Sequence, residues 1–446
     1  MSNSEMDKSL LMGIFGNEFH NEEEKKYEKL GIKFNPFPRS GTSNINSGDS
    51  YNAYLTPIDS VAEKELNQFI GHSLTANALD PDDKFISATV IGDYGSGKTQ
   101  FLMYAKYLLN IIAVSKERQE KPYVIYIDNP GLNLLEFLGS IISKIGEENL
   151  KKYLWENIIH KIKINSDFKS RLTPFSVRGN LLFEEENTDP FADENTVSYK
   201  KFLDSFVKYI PTTAQRKKFD IEIKSILTTI LENETKDTVV AHYFYEFISG
   251  DFGINKTWEA LTSGSLKQLN GKEANIIKYV VRLIKRQGFT DFFILVDEFE
   301  DITEGRLTKT QIDNYVYNLR TLLDEQREWC LMFSMTPLAL KKLKSVSPPL
   351  ADRISSRSIL LQDLNKEQAL SIVRNYINMA GGIPNSILPF TEDGVEYLKD
   401  KVEGNARRFL KIAFALVEKA ATNFTSSNDR INKEFVENNY ILIEEE

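Results

Sequence analysis

The sequence predicts an α/β fold: a parallel five-stranded sheet that opens on a P-loop, a large helical insertion within it and a small C-terminal helical lid domain. Three observations predict it. Short apolar runs alternate with longer helical patterns over residues 84–147 and again over 273–364, the βαβ rhythm of a parallel sheet. Directly after the first apolar run stands "GDYGSGKT", which satisfies G-x-x-x-x-G-K-[ST]. Between the two stretches, residues 148–272 carry helical and polar patterns that break the alternation.

Taken in order, residues 1–30 are polar and charge-dense and read as an N-terminal arm. Residues 31–80 are an extended segment and a helix leading into the core. "GIKFNPFPRSGTSNINSGDS" is rich in turn formers, and Asp59 is placed to cap a helix carrying Ala62, Leu66, Phe69 and Ile70 at helical spacing. The first part of the core, 81–147, reads as the strand "FISATVIG", the helix "KTQFLMYAKYLLNIIAV", the strand "YVIYID" and the helix "LLEFLGSIISKIG".

The insertion, 148–272, includes the acidic "FEEENTDPFADENT", expected as an exposed or disordered loop. The second part of the core, 273–364, holds the helix "NIIKYVVRLIKRQG" and the strands "FFILVDEFE", "WCLMFSM" and "RSILLQDL". Residues 365–446 show helices only. Asn365 with Gln368 resembles a capping box, Thr391 is placed to cap the next helix, Gly404 to end it and Asn405 to cap a third.

Composition excludes several classes. A single cysteine, Cys330, leaves no disulfide framework or Cys-based zinc site and fits a reducing compartment. The four histidines, His20, His72, His160 and His242, are too far apart in sequence for a helix-borne metal pair, so no transition metal is expected. No apolar run approaches the roughly 20 residues that cross a bilayer, so the expectation is a cytoplasmic protein without a membrane partner. A net charge of −9 argues against coating nucleic acid through bulk positive charge but leaves local basic faces open.

The loop Gly92, Asp93, Tyr94, Gly95, Ser96, Gly97, Lys98, Thr99, Gln100 is a candidate phosphate cradle rather than a flexible turn. Its glycines let successive N–H groups turn inward, Lys98 reaches the β and γ phosphates, Thr99 ligates Mg²⁺, and the following helix adds its positive end. ATP with Mg²⁺ is the ligand this pattern predicts. Phosphoryl transfer then requires a second carboxylate element. "FFILVDEFE" supplies it: Asp297 to hold Mg²⁺ and Glu298 to orient or deprotonate a water. The adjoining Glu300 and Asp301 read as solvated charges at a helix start. Downstream, "LMFSMTP" offers Thr336 first and Ser334 second as a polar group between the two motifs. A threonine ahead of Pro337 is equally suited to capping a helix.

With the P-loop, the "DE" strand, the polar strand end and a helical lid containing "GNARRF", the chain resembles the AAA+ ATPases. Within them it resembles the initiator-type group that includes origin recognition and transposition ATPases. The resemblance spans residues 30–440. It implies sensor roles for Thr336 or Ser334 and for Arg407, with Arg408 beside it, and an arginine finger offered to a neighbouring subunit by Arg353, or by Arg357. Lys98, Glu298, Thr336, Arg353 and Arg407 would then be the catalytic set, in a homo-oligomer. "GIKFNPFP" is similar to a segment preceding the core in that group, which makes Asn35, Pro36 and Phe37 candidates for the adenine side. A Pro-aromatic turn packed on the core reads equally well.

"YEFISGDFGINKTW" through "IKRQGFTDFFILVDEFE" is similar to P-loop ATPases of BREX-type anti-phage systems. Two departures stand out: the insertion is larger than that of the initiator-type group, and about twenty residues after the third lid helix are too few for a further DNA-binding domain. The expected function is an oligomeric ATPase acting on DNA in transposition, replication or phage defence. "KKYLWENIIHKIK", "TAQRKKF" and "LALKKLK" are candidate phosphate contacts or solvated helix faces. The alternative is a nucleotide-controlled scaffold whose insertion recruits a protein effector such as a nuclease. A small-molecule kinase fits the arginine-bearing lid less well.

Overall fold

Five short apolar runs form the strands of one sheet: β1 (Ser87–Ile91), β2 (Pro122–Ile127), β3 (Asp291–Val296), β4 (Trp329–Met335) and β5 (Ser358–Leu360). The computed structural model describes residues 26–41, 60–75, 87–176, 189–250, 253–254, 256–257, 273–303, 307–325 and 329–445. Asp59, residues 1–25 and the first six residues of "FEEENTDPFADENT" lie outside them. All strand neighbours are parallel, in the order β2-β3-β4-β1-β5. Every residue of β1, β3 and β4 is buried, so these strands read in the sequence as near-continuous apolar runs broken only by buried Ser87, Thr89, Asp291 and Ser334. Because β4 lies between β1 and β3, the carboxyl ends of β1 and β3 flank a single crevice. In open parallel sheets that is where ligands bind.

Side chains alternate across the sheet. Phe293 and Leu295 join Val90, Tyr126 and Met332 under α1 (Ser60–Thr75) and α2 (Lys98–Val114). Phe292, Ile294 and Val296 join Leu331, Phe333 and Met335 on the opposite face, in one cluster with α3 (Leu134–Ile145). That cluster continues without a break through the helices of the insertion: α4 (Glu147–Ile164), α5 (Ser166–Ser176), α6 (Tyr199–Val207), α7 (Thr213–Thr235) and α8 (Thr238–Ser249). The helix α9 (Glu273–Arg286) then returns the chain to β3. Glu234 on α7 pins this return, lying 3.1 Å from both Lys161 on α4 and Arg286 on α9. The insertion is therefore an extension of the sheet's own core.

Beyond β3 the chain forms α10 (Lys309–Glu325), α11 (Pro337–Val346) and α12 (Pro348–Ile354), and after β5 the lid helices α13 (Lys366–Met379), α14 (Glu392–Lys401), α15 (Ala406–Asn423) and α16 (Lys433–Glu445). The capping box of Asn365 and Gln368 is formed, and Asn405 accepts from the Arg408 amide. Thr391 sits at the start of α14, but its hydroxyl donates to the Ile431 carbonyl rather than capping.

The described part of segment 31–80 divides. Ser60–Thr75 covers the sheet, whereas residues 26–41 join the lid, with Tyr27, Leu30, Ile32 and Phe37 buried among its helices. The Phe37 ring stacks on Tyr376 at 5.2 Å and meets Phe390 edge-on at 5.7 Å. Glu418 on α15 anchors this strap, accepting from Lys26, Tyr27 and Asn35. Burial pushes the Glu418 carboxyl up, but hydrogen bonds from Lys26, Tyr27 and Asn35 outweigh it and hold the group below its ordinary 4.5. A depressed carboxylate adds stability above its unfolded value that is lost as pH falls through the folded one. Thermal unfolding followed from pH 7 downward should therefore show the wild type losing stability below about pH 4.5. A Glu418→Gln protein should start less stable and fall less over the same range.

Candidate nucleotide site

The crevice is built from the ends of β1, β3 and β4. After Ile91 the loop turns sharply, with the Gly92 amide 3.3 Å from the Met335 carbonyl at the end of β4. Gly95 and Gly97 hold φ of +79° and +94°, the left-handed region that side chains rarely enter. A Cβ at Gly95 would also collide with Asn405 of the lid, while nothing lies within 4 Å of one at Gly97. Gly97 precedes α2 and offers no side-chain cap, so the first turn of α2 faces the crevice with its N–H groups uncapped by any side chain.

The charges converge beneath this loop. Asp297 is 3% exposed. Its Oδ2 accepts from Thr99 Oγ1 at 2.6 Å and from the Tyr126 hydroxyl at 2.7 Å. Its Oδ1 accepts from Ser334 Oγ and from the Glu298 amide. Burial, followed by the Asp297 charge, pushes the Tyr126 hydroxyl far above its ordinary value, so it stays a neutral donor. Glu298 itself is exposed at the strand end with φ +51°, a strained setting for a non-glycine residue and one common at functional sites. Lys98 folds back over the loop. Its Nζ donates to the carbonyls of Gly92 at 2.9 Å and Asp93 at 3.2 Å, and lies 5.4 Å from the centre of the Tyr94 ring.

These residues fit a nucleotide phosphate with Mg²⁺. Ser96 Oγ is buried in the loop without a hydrogen-bond partner, Gly97 opens on free space, and a hydroxyl and a carboxylate meet where a hard cation takes oxygen ligands.

The other sequence candidates separate. Ser334 touches Asp297, whereas Thr336 accepts from the Ala339 amide at 3.1 Å and caps α11. The lid meets the loop directly: Asn405 Nδ2 donates to the Tyr94 carbonyl at 2.6 Å and the Arg407 amide to the Gly95 carbonyl at 3.1 Å. The Arg407 side chain is exposed there, while Arg408 turns away to the Tyr440 hydroxyl. Arg353 pairs with Asp324 and also donates to the Pro349 carbonyl, and Arg357 lies 3.4 Å from Glu65, so both arginines sit in ion pairs within the chain. Asn35 donates to the Phe414 carbonyl and Phe37 is buried in the lid. The part of the strap that meets the loop junction is Gly41, packed on the Arg407 backbone.

One expectation is corrected. Glu300 is not a solvated charge: it is 4% exposed and its Oε1 lies 3.7 Å from Lys98 Nζ. Phe299–Ile302 is a 3₁₀ turn whose Phe299 and Ile302 both enter the core, and this carries Glu300 inward with them. Asp301, on the same turn, is half-buried and accepts from Asn129 at 2.9 Å. Sequence reasoning also missed Tyr126 and took Asn405 only as a cap. The alternation of β2 could have indicated Tyr126, which shares the α2 face.

No protein-family model matches the chain, and no curated protein does. Among solved structures it is similar, at 12% identity, to the Orc1 protein of Aeropyrum pernix in complex with DNA, with a TM-score of 0.42 over 88% of this chain and 67% of that one. Cdc6p from Pyrobaculum aerophilum is similar at 12% identity and a TM-score of 0.39, covering 89% of this chain and 71% of that one. A Walker-type ATPase of Pyrococcus abyssi matches at 12% identity and a TM-score of 0.36, over 88% and 77%. No helix among the described residues is long and apolar enough to cross a membrane.

The division between Ser334 and Thr336 is measurable without any ligand. Thr336→Ala removes a helix cap and should lower stability in urea by about 1 kcal/mol. Restoring the cap with Thr336→Ser should recover most of that loss.

Proposed function

We propose that the chain is an AAA+ ATPase of the initiator type that binds ATP with Mg²⁺ and uses its hydrolysis to control an oligomeric assembly acting on DNA. The observation that carries this reading is the 2.6 Å contact between Thr99 of the P-loop and Asp297 of the "DE" strand, beneath a lid helix seated on the same loop. Two motifs 198 residues apart in sequence meet there as one site.

In this reading the loop amides and the first turn of α2 bind the phosphates, Ser96 finds its missing partner there, and Lys98 leaves the Gly92 and Asp93 carbonyls to reach the β and γ phosphates. Thr99 and Asp297 would hold Mg²⁺, which when bound supplies charge neutralisation between those phosphates. Tyr126 and Ser334 fix the Asp297 carboxylate so that both oxygens keep their direction. Glu298, exposed beside it, orients the attacking water and takes its proton. Arg407 reaches from the lid to the transferring phosphate. Arg353, on the exposed side of α12, acts on a neighbouring subunit's nucleotide after leaving Asp324. Arg216, Lys217 and Lys218, all exposed at the start of α7, are candidate DNA phosphate contacts, in transposition, replication or phage defence.

A nucleotide-controlled scaffold is the second reading, and one observation favours it. The insertion shares an unbroken core with the sheet face of β3, so a protein effector held by the insertion would be coupled to the strand that ends in Asp297.

Glu298→Gln should retain ATP binding while phosphate release falls roughly 10²–10⁴-fold. Lys98→Ala should lose binding itself. A Glu298→Gln protein that still turns over, or a trapped ATP state that neither assembles nor gains salt-sensitive DNA affinity, would refute the corresponding part of the proposal.

A further inference from the structure

Of the charged side chains buried at the crevice among the described residues, Lys98 and Asp297 have tasks under the nucleotide reading and Glu300 has none. It is a carboxylate 4% exposed, set three residues past the Asp297 that anchors the site, with its side chain against the P-loop lysine. Lys98 and Glu300 are 9% and 5% exposed at their side chains, so each is a charge removed from water with the other 3.7 Å away. A buried ion needs such a partner, and removing one member leaves the other uncompensated. The ammonium has three donors. Two are directed to the Gly92 and Asp93 carbonyls, which draws the lysine down onto the loop that should receive phosphate. Glu300 Oε1 lies 3.7 Å from the same nitrogen.

We infer that Glu300 is a positioning residue that acts through Lys98: it is the counter-charge that holds the lysine in the nucleotide-free loop, and ATP must take the lysine away from it. The inference rests on the nucleotide reading of the site and deepens it. Its consequence is a direction. In the free protein Glu300 stabilises the folded-back lysine. In the bound protein it remains a negative charge close to the phosphates that have replaced it as the lysine's partner. Both effects weaken nucleotide binding, so Glu300 keeps the affinity of the site below what the loop and lysine alone would give. The geometry of the Phe299–Ile302 turn makes this a built feature: Phe299 and Ile302 lock into the core on either side, and the carboxylate is held at the lysine without needing a flexible approach.

The test is equilibrium binding of a fluorescent ATP analogue, with ADP as competitor, to the full chain and to Glu300→Gln, Glu300→Asp and Lys98→Met proteins. Glu300→Gln keeps the shape and removes the charge. It should bind ATP more tightly, by about tenfold or more, because a unit charge a few ångströms away at an interior dielectric is worth at least that factor. Glu300→Asp should stay near the wild type. A merely structural role predicts the opposite sign, because damage to the turn weakens binding.

A second measurement needs no nucleotide. Lys98→Met takes the lysine counter-charge away from the buried Glu300 carboxylate, so the double variant Lys98→Met with Glu300→Gln should unfold at a higher temperature than Lys98→Met. This comparison also serves if Glu300→Gln by itself does not fold. Tighter ATP binding by Glu300→Gln, or rescue of Lys98→Met by it, supports the inference. Equal or weaker binding by a folded Glu300→Gln protein, or a double variant no more stable than Lys98→Met, overturns it. A wild-type chain that binds no ATP at all would instead refute the nucleotide reading, and the stability comparison would still judge the ion pair.

Discussion

The carboxylate of Asp297 is the constraint on which the site depends. A buried negative charge is tolerable only with donors on both oxygens, and here they come from four places: the P-loop through Thr99, β2 through Tyr126, β4 through Ser334 and its own strand end through the Glu298 amide. Meeting those four donors sets the register of three strand ends and the height of the loop above them. It also shapes the exposed residue beside it. The Glu298 amide is turned back to Asp297, the backbone there goes left-handed, and the Glu298 side chain is left facing solvent at the mouth of the crevice.

The lid is tied to this centre by backbone as much as by charge. Tyr94 and Gly95 offer carbonyls to Asn405 and Arg407, and Gly95 has no room for a side chain because Asn405 stands against it. Gly41 closes the same junction from the other side, with φ +68° and no space for a Cβ against the Arg407 backbone. The strap that ends at Gly41 is fastened along the lid by Phe37 and by the donors gathered on Glu418. Strap, lid and loop therefore meet within a few residues, so a displacement of any one is felt by the other two.

Much of this was legible in the sequence, for physical reasons. Strands buried on both faces read as near-continuous apolar runs, so β1, β3 and β4 could be placed, and the P-loop and "DE" motifs stand out because their residue types answer to the chemistry of phosphate and metal. Asn365, Gln368 and Asn405 announce their helix starts by local hydrogen bonding alone. The choices that failed or stayed open depend on tertiary direction. Ser334 and Thr336 are two residues apart and equally polar; only the end of β4 and the start of α11 separate the one that faces Asp297 from the one that caps a helix. Glu300 looked like a solvated charge because a turn of two apolar and two acidic residues does not say which acid follows the apolar pair inward. The seat of the strap on the lid stayed open because Pro and Asn predict an extended backbone without naming the surface it lies on.

The central claim is that Asp297 and Thr99 together make the metal-binding half of a nucleotide site. Calorimetric titration of ATP into the wild type and into Asp297→Asn, each with Mg²⁺ and with a chelator, tests it directly. The substitution keeps an acceptor for Thr99 and removes the charge a cation needs. Wild-type affinity should rise with Mg²⁺, and the Asp297→Asn protein should bind ATP equally well with or without it. An Asp297→Asn protein that gains as much from Mg²⁺ as the wild type would contradict that claim.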